Sequence, residues 1–174
     1  MSLQQFLKNK IRDVPDFPKP GILFKDITPL LRDPSAFEQL IQAMVEPFQS
    51  ATIDAVVGIE SRGFIIGAPM AHLLKVGFIP VRKPGKLPAK TYRVEYELEY
   101  GIDALEIHQD AAQAGQKVLL VDDLLATGGT ALATVQLLKK MDVEVVAASF
   151  IIELTFLKGQ EKLKPCKVTS LIQY

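Results

Sequence analysis

Short runs of apolar residues alternate along this chain with longer stretches that carry apolar residues at helical spacing. The short runs are rich in β-branched residues and cover residues 53–59, 78–82, 117–123, 143–154 and 168–174. Runs of this length without a polar face are typical of strands that are buried on both faces of a parallel sheet. The pattern therefore predicts an α/β fold, in which a mainly parallel central sheet is flanked by helices.

Helical periodicity predicts the elements between these strands. A first helix is indicated by apolar residues on one face: Leu3, Phe6, Leu7, Ile11 and Val14. It should end at residues 14–21, where three prolines and a glycine forbid a regular helix. Ser35 and Glu38 match a capping box and predict the start of a second helix. Residues 64–75 and 130–141 are predicted to form helices that follow strands.

The segment after the second predicted strand departs from this alternation. Its apolar and acidic residues alternate, which is the periodicity of a strand with one polar face: Val94, Glu95, Tyr96, Glu97, Leu98, Glu99 and Tyr100. Gly101 allows the chain to return through residues 102–107 as a hairpin. An excursion of this length from an α/β core is more often a functional lid than a connection.

Composition and charge narrow the class of protein. The 174 residues are 48% hydrophobic, which fits one compact domain with a sizeable core. Lys and Arg number 20, as do Asp and Glu, and a net charge of zero argues against non-specific binding to nucleic acid or anionic membranes. A single cysteine excludes a disulfide within the chain, and no apolar run is long enough to cross a bilayer. We expect a soluble, cytoplasmic protein.

One predicted strand leads into an unusual stretch, KVLLVDDLLATGGT, at residues 117–130. Ligands of open α/β sheets bind beyond the carboxyl ends of the strands, which is where this pattern puts Asp122 and Asp123. Small and hydroxyl-bearing residues then lead into the predicted helix: Ala126, Thr127, Gly128, Gly129 and Thr130. Helix N-termini attract anions through unpaired N–H groups, and small residues let a phosphate approach the backbone. The turn therefore predicts a phosphate site.

The two carboxylates beside this turn would repel a phosphate, so we expect them to contact another group. Carboxylates accept hydrogen bonds from vicinal hydroxyls and also bind Mg²⁺. A ribose 5-phosphate offers both a diol and a phosphate, so the stretch favours a phosphorylated ribose as the ligand. An ordinary βα turn with a polar N-cap is the alternative. Neither a Walker P-loop nor a G-x-G-x-x-G fingerprint occurs in the chain.

The same stretch resembles the phosphoribosyl-pyrophosphate (PRPP) signature of the type I phosphoribosyltransferases. The likeness covers nearly the whole chain through further segments: FPKPGILFKDITPLL, GIESRGFIIGAPMA, RKPGKLP, LEYG, DALEIH and ELTFLKG. It implies one domain over residues 1–174 with the fold of that family, in which residues 1–34 form a hood segment for base recognition and residues 83–107 a flexible β-hairpin lid.

The resemblance also implies the reaction. The 5-phosphoribosyl group of PRPP would be transferred to adenine, which gives AMP and pyrophosphate and serves purine salvage. Mg²⁺ would be held mainly by PRPP, with help from Asp122 and Asp123, and the chain would form a homodimer.

A second anion site, for pyrophosphate, follows from the resemblance. Ser61 and Arg62 belong to the segment ESRG, whose backbone N–H groups and guanidinium suit phosphate oxygens. Three residues of the basic segment RKPGKLPAKTYR match the family pattern: Arg82, Lys83 and Lys86. Lys90 and Arg93 of the same segment are expected to be solvated, as charge runs usually are.

Further roles rest on the resemblance alone. Glu99 is the glutamate of LEYG, which is proposed for this family as an acid–base group, because desolvation near the purine would raise the pKa of a carboxyl. A solvated or salt-bridged edge residue is the alternative for Glu99. Tyr100 would pack over the site when the lid closes. The residues around adenine would be Leu23, Phe24, Lys25 and Asp26. The family often has arginine in place of Lys25, and lysine does not replace a planar guanidinium.

Two other functions stay open from the residues. The same chemistry could use xanthine, hypoxanthine or orotate. The hydrogen-bonding edge of the base determines which base is accepted, and the residues alone do not show which edge this chain would recognise. A regulator could bind PRPP as an effector without turning it over. Such a protein would be expected to carry a DNA-binding appendage or a basic face, which the zero net charge disfavours.

Overall fold

The computed structural model describes residues 1–98 and 101–174, which form two compact units, Met1–Ala43 and Met44–Tyr174. The first unit contains short helices and a two-stranded antiparallel sheet, followed by a longer helix that begins in this unit and ends beyond its last residue: α1 (Leu3–Lys8), β1 (Arg12–Pro15), β2 (Leu23–Asp26), α2 (Thr28–Arg32) and α3 (Pro34–Val45).

Two predictions for the N-terminal unit were wrong in detail. The first helix ends at Lys8, and Val14 lies instead in β1, where it pairs with Phe24. Val14 precedes a proline, which disfavours the helical conformation at that position. The N-cap of α3 is Asp33 and not Ser35, because Oδ1 of Asp33 accepts the N–H of Ala36 at 3.1 Å.

The elements of the second unit follow one another along the chain as β3 (Ala55–Ile59), α4 (Arg62–Leu74), β4 (Gly77–Val81), β5 (Thr91–Leu98), β6 (Gly101–His108), β7 (Lys117–Leu125), α5 (Gly129–Lys139), β8 (Glu144–Glu153) and β9 (Lys167–Gln173). Five of these strands form a parallel sheet with the order β4–β3–β7–β8–β9. Short 3₁₀ turns at Glu46–Phe48, Thr155–Leu157 and Gly159–Leu163 complete the unit.

The sheet is buried as its apolar runs predict. Every residue of β3 is buried, and the core of the unit combines strand residues such as Val57, Leu120 and Phe150 with Leu137 of α5. Fully apolar strands exclude water from both faces, so burial of their side chains is the main favourable contribution to folding. The prediction of a mainly parallel sheet flanked by helices is confirmed. No helix within the described ranges is long and apolar enough to cross a membrane.

The segment after β4 forms the predicted hairpin. β5 and β6 pair antiparallel from Thr91 opposite His108 to Leu98 opposite Gly101. Val94 and Tyr96 pack against the core, so the hairpin is anchored along one face. Arg82 and Glu106 also exchange backbone hydrogen bonds, which joins the hairpin to the chain that leaves β4. Its movement as a lid stays a prediction.

Candidate functional site

The loop that follows β3 and the turn that follows β7 lie at the same edge of the parallel sheet. β3 and β7 are neighbours, with Gly58 opposite Val121, so the chain leaves both strands at the same carboxyl edge. A cavity of about 340 Å³ lies there. It is lined by residues of four segments, namely Glu60, Ser61, Arg62, Lys83, Tyr96 and residues 122–131.

The predicted phosphate turn forms the N-terminus of α5. Gly128 is the N-cap residue, with φ at 79°, and within the described part of the chain no side chain caps the helix. The first N–H groups of α5 are therefore not covered by a capping side chain, and the partial positive charge of the helix end adds to their attraction for an anion. Ala126, Thr127, Gly129 and Thr130 line the same part of the cavity. The turn has the features of a phosphate site.

Behind this turn, its backbone packs against the backbone of another segment. A Cβ atom built on Gly128 would lie 2.5 Å from the carbonyl oxygen of Gly159. A Cβ atom on Gly159 would lie 2.2 Å from the carbonyl oxygen of Ala126 and 3.0 Å from the nitrogen of Gly128. Any side chain at either glycine would push the two segments apart, so the position of the turn depends on both.

The adjacent acids differ in their surroundings. Asp123 is buried, and one of its carboxylate oxygens accepts a hydrogen bond from Nε of Arg62 at 2.5 Å. Asp122 accepts the backbone N–H of Asp123 at 2.9 Å. Desolvation by the surrounding protein, followed by the like charge of Asp123, raises the pKa of Asp122 well above its usual range. Asp123 is thus the ion-paired member of the pair, and Asp122 the member that more readily keeps its proton.

The helix that follows the other loop begins very close to β7. A Cβ atom on Gly63 would lie 2.9 Å from the carbonyl oxygen of Val121 and 3.1 Å from Oδ1 of Asp122. The absence of a side chain therefore lets the start of α4 approach the acid pair. The peptide bond between Glu60 and Ser61 in this loop is cis.

The basic segment after β4 is gathered around Glu60. Oε2 of Glu60 accepts hydrogen bonds from Nε of Arg82 at 3.2 Å and from the backbone N–H of Lys83 at 3.0 Å. Oε1 accepts Nζ of Lys86 at 2.5 Å. Burial alone would raise the pKa of Glu60, but the hydrogen bonds from Lys86, Lys83 and Arg82 outweigh it and lower that pKa to about 2.

The hairpin contributes a polar network to the same cavity. Lys83 donates to the carboxylate of Asp103, and the Tyr96 hydroxyl lies 3.3 Å from that carboxylate and 3.4 Å from Nζ of Lys83. Oγ1 of Thr130 lies 3.4 Å from the Tyr96 hydroxyl. Burial would lower the pKa of Lys83, but the hydrogen bonds and charge interactions with Asp103 and Tyr96 together outweigh it and raise that pKa. The network links the basic segment to the phosphate turn through the hairpin.

The predicted base-binding residues form β2 of the N-terminal unit. Leu23 is half exposed, and the ring of Phe24 meets that of Phe17 edge to face, with centroids 5.2 Å apart. The ammonium group of Lys25 is nearly buried and lies 2.7 Å from a carboxylate oxygen of Asp13. Asp26 accepts two hydrogen bonds from Arg12, at 2.6 Å and 3.0 Å. A strand was not predicted here.

The structure thus brings together most of the predicted PRPP-site residues. Those that line the cavity are Ser61, Arg62, Lys83, Asp122, Asp123, Ala126, Thr127, Gly128, Gly129 and Thr130. Arg82 and Lys86 reach the site through Glu60. Arg93 pairs with Glu95 on the exposed face of the hairpin, in line with its expected solvation. Glu99 and Tyr100 lie outside the described residues.

Sequence reasoning missed Glu60, Tyr96, Asp103 and Gly159. Glu60 had a signal, because it directly follows a buried strand and precedes the predicted anion loop. Asp103 and Gly159 fall in the segments DALEIH and ELTFLKG that carry the resemblance, but their contacts with Lys83 and Ala126, like that of Tyr96 with Thr130, join separate parts of the chain and could not be inferred from spacing.

Comparisons with known proteins agree with this arrangement. A model of the phosphoribosyl transferase domain matches residues 28–172, which defines the class of protein and confirms the predicted fold class. The adenine phosphoribosyltransferase of Acaryochloris marina is 60% identical over 168 residues, which cover 97% of this chain and 99% of that protein.

Solved structures give the same result. The crystal structure of adenine phosphoribosyltransferase from Thermoanaerobacter pseudethanolicus has a TM-score of 0.96 at 51% identity, and covers 98% of this chain and 99% of its own. The Saccharomyces cerevisiae enzyme, crystallised with adenine and D-2,5-dideoxy-2,5-imino-altritol 1,6-bisphosphate, has a TM-score of 0.92 at 44% identity, and covers 97% and 98% of the two chains. This chain therefore belongs to the adenine phosphoribosyltransferase family.

The contact between Gly128 and Gly159 predicts the effect of one added methyl group. We expect Gly159→Ala to weaken binding of ribose 5-phosphate by about tenfold or more, because a displaced turn no longer aims its N–H groups at the phosphate. Titration calorimetry measures the change. Gly77→Ala is the matched control, since its Cβ would meet only Ala55 at 4.0 Å. Unchanged binding by Gly159→Ala would show that the turn does not depend on this packing.

The lowered pKa of Glu60 predicts a pH-dependent contribution to stability. Because the folded-state pKa is about 2 and the ordinary value 4.5, the ionised carboxylate stabilises the fold above pH 4.5 and loses this effect as the pH falls toward 2. Urea unfolding of the wild type and Glu60→Gln should give a difference in free energy that is constant near neutral pH and shrinks over that window. Glu144→Gln makes the same charge change at an exposed carboxylate. A difference independent of pH would refute the assignment.

Proposed function

We propose that this protein transfers the 5-phosphoribosyl group of PRPP to adenine and so forms AMP and pyrophosphate in purine salvage. The observation that carries the proposal is one cavity that combines a helix N-terminus without a capping side chain, an acid pair and a basic loop. The choice of adenine is supported by relatives of nearly equal length that are named adenine phosphoribosyltransferases.

The 5-phosphate of PRPP would bind at the N-terminus of α5. Residues 126–130 offer backbone N–H groups, and Thr127 and Thr130 add hydroxyl donors. Asp122 and Asp123 lie near the end of β7, just before this turn, and would form hydrogen bonds with the ribose diol. Two anchor points at fixed separation would hold the anomeric carbon in one place, which is the main contribution that positioning makes to such a transfer.

Pyrophosphate would be held by the two segments on the other side of the cavity. Ser61, Arg62 and Lys83 line it, and Arg82 and Lys86 would complete the site from the basic segment. Arg62 also pairs with Asp123, so one guanidinium would connect the leaving group with the residue at the ribose. Positive charge at this place stabilises the charge that develops on the departing pyrophosphate.

Adenine would contact Leu23, Phe24, Lys25 and Asp26, and the apolar faces of Leu23 and Phe24 suit a purine ring. Glu99 would take or share the proton that the purine loses, and Tyr100 would cover the site as part of the hairpin lid. Breaking the glycosidic bond builds up positive charge on the ribose, as in other glycosyl transfers. A closed lid would exclude water, which otherwise attacks the same carbon.

We also propose that the reaction uses Mg²⁺, which when bound would neutralise charge on the pyrophosphate. The donor set fits an ion held mainly by the oxygens of PRPP. Asp123 is already paired with Arg62, and the pKa of Asp122 is raised, so these carboxylates would help without forming a complete protein site.

A homodimer in the cytoplasm completes the proposal. Two apolar residues on one face of α4, Ile65 and Leu73, are 46% and 50% exposed, which supports an interface there. The single cysteine, Cys166, suits a reducing compartment. Light scattering should give twice the mass of the chain, and the mass of one chain would refute the dimer.

A turnover assay tests the function. The protein would be mixed with PRPP and Mg²⁺ and offered adenine, hypoxanthine, guanine, xanthine and orotate in separate reactions. We expect AMP and pyrophosphate from adenine alone. Turnover of another base would retain the PRPP site and refute the base assignment. Tight binding of PRPP without turnover of any base would indicate a regulator instead.

The acid pair predicts a contrast between two variants. Asp123→Asn should lower kcat/KM by about tenfold or more, because it removes the charge that pairs with Arg62 and an acceptor for the ribose diol. Asp122→Asn should cost less at neutral pH, since an amide resembles the protonated carboxyl that the raised pKa favours. Steady-state kinetics with varied PRPP measures both. Unchanged kinetics in Asp123→Asn would remove the diol assignment.

A further inference from the structure

We propose that Glu60 is a positioning residue of the pyrophosphate site, whose carboxylate holds the basic segment 82–86 in the arrangement that receives the ligand. The inference rests on the proposed function, because it assigns a role within the pyrophosphate site of that reaction. Glu60 itself carries no positive charge and cannot bind pyrophosphate directly, so its effect has to pass through its partners.

Both oxygens of Glu60 are used by the basic segment. Oε2 is shared by Arg82 Nε and the backbone N–H of Lys83, and Oε1 accepts Lys86 Nζ, with Arg82 Nη2 at 3.5 Å from the same oxygen. The Glu60 side chain is only 10% exposed. A nearly buried carboxylate with several charge-assisted hydrogen bonds is held in one orientation, and it fixes its donors in turn.

Arg82 transmits this anchoring to the rest of the segment. Its Nη1 donates to the carbonyl oxygen of Lys86 at 3.2 Å, which closes the turn between the two residues. Its backbone exchanges hydrogen bonds with Glu106 of the hairpin at 2.9 Å and 2.8 Å. All three guanidinium nitrogens of Arg82 therefore contact protein. Lys83, next to it in the chain, is the residue of this segment that lines the cavity.

Glu60 also connects the two segments assigned to pyrophosphate. It directly precedes Ser61 and Arg62, while its partners come from the chain beyond β4. Without the carboxylate, Arg82 and Lys86 would repel each other and their side chains would regain conformational freedom. Binding of pyrophosphate would then have to order these side chains, and the free-energy cost of ordering them would lower the affinity.

The carboxylate has a second, opposite effect, because a negative charge repels an incoming polyanion. Coulomb repulsion alone predicts that removing this charge strengthens pyrophosphate binding. The ammonium and guanidinium groups around Glu60 compensate its charge, so we infer that the positioning effect is larger. Lys86 is 48% exposed and has room to turn from Glu60 toward a bound ligand.

Kinetics of Glu60→Gln separates the two effects. We expect KM for PRPP, and KM for pyrophosphate in the reverse reaction, to rise about tenfold, with KM for adenine and kcat within about threefold of the wild type. Glu60→Asp keeps the charge and should recover part of the loss. Glu144→Gln, the same charge change at a carboxylate that pairs with Lys117, is the matched control.

A double-mutant cycle tests whether Glu60 acts through Arg82. Glu60→Gln should raise KM for PRPP by a smaller factor in an Arg82→Met background than in the wild type, because part of the effect of Glu60 has to pass through Arg82. A lower KM for PRPP in Glu60→Gln, strictly additive effects, or a parallel loss in kcat and in KM for adenine would each overturn the inference.

Calorimetry with pyrophosphate separates this inference from the proposed function. If the wild type converts no base, the proposed function fails. The role of Glu60 can still be tested, because the affinities of the wild type and of Glu60→Gln for pyrophosphate can be compared. Weaker binding by Glu60→Gln than by the wild type would support the positioning role, and equal or tighter binding would overturn it.

Discussion

The ion pair between Arg62 and Asp123 joins the start of α4 to the last residues of β7, and the rest of the site depends on this contact. It forms because β3 and β7 are parallel neighbours, so the helix that follows β3 begins beside the carboxyl end of β7. Gly63 allows the approach, since a side chain there would collide with β7. The Asp123 side chain is only 6% exposed, whereas that of Arg62 is 41% exposed, so removing Arg62 would leave a buried carboxylate without its cation, while solvent would screen an unpaired Arg62. The pair therefore holds the acid pair and the start of α4 in one fixed relation.

Cationic side chains grouped around one cavity would be expected to repel one another, and here carboxylates offset this repulsion. Arg62 is paired with Asp123, Lys83 with Asp103, and both Arg82 and Lys86 with Glu60. The cations are thus ordered in advance, and a ligand would exchange one set of charged partners for another. Burial and the like charge of Asp123 raise the pKa of Asp122, which reduces the negative charge of the acid pair. The protein as a whole stays neutral while its site remains locally charged.

The sequence predicted the parts of the molecule that local pattern determines. Apolar runs identified the strands of the parallel sheet, and the acid pair with its glycine-rich turn identified the carboxyl edge. β1 and β2 were missed because they are short, lie near prolines and are stabilised by pairing with each other. Tyr96 and Gly159 were missed for a related reason. Their importance comes from contacts with Thr130 and Ala126, and sequence spacing contains no information on which distant segments meet.

The separation of Arg62 and Asp123 along the chain has a consequence for how the protein folds. The two residues are 61 positions apart, and Arg62 follows β3 whereas Asp123 belongs to β7, so their contact requires closure of a long loop and parallel pairing of the two strands. A chain in which β3 and β7 have not yet paired has neither the cavity nor its charge pairs. A ligand of the site therefore stabilises only the assembled sheet and not partly folded states. Abundance of the substrate would in this way influence how long the enzyme persists, in addition to how fast it works.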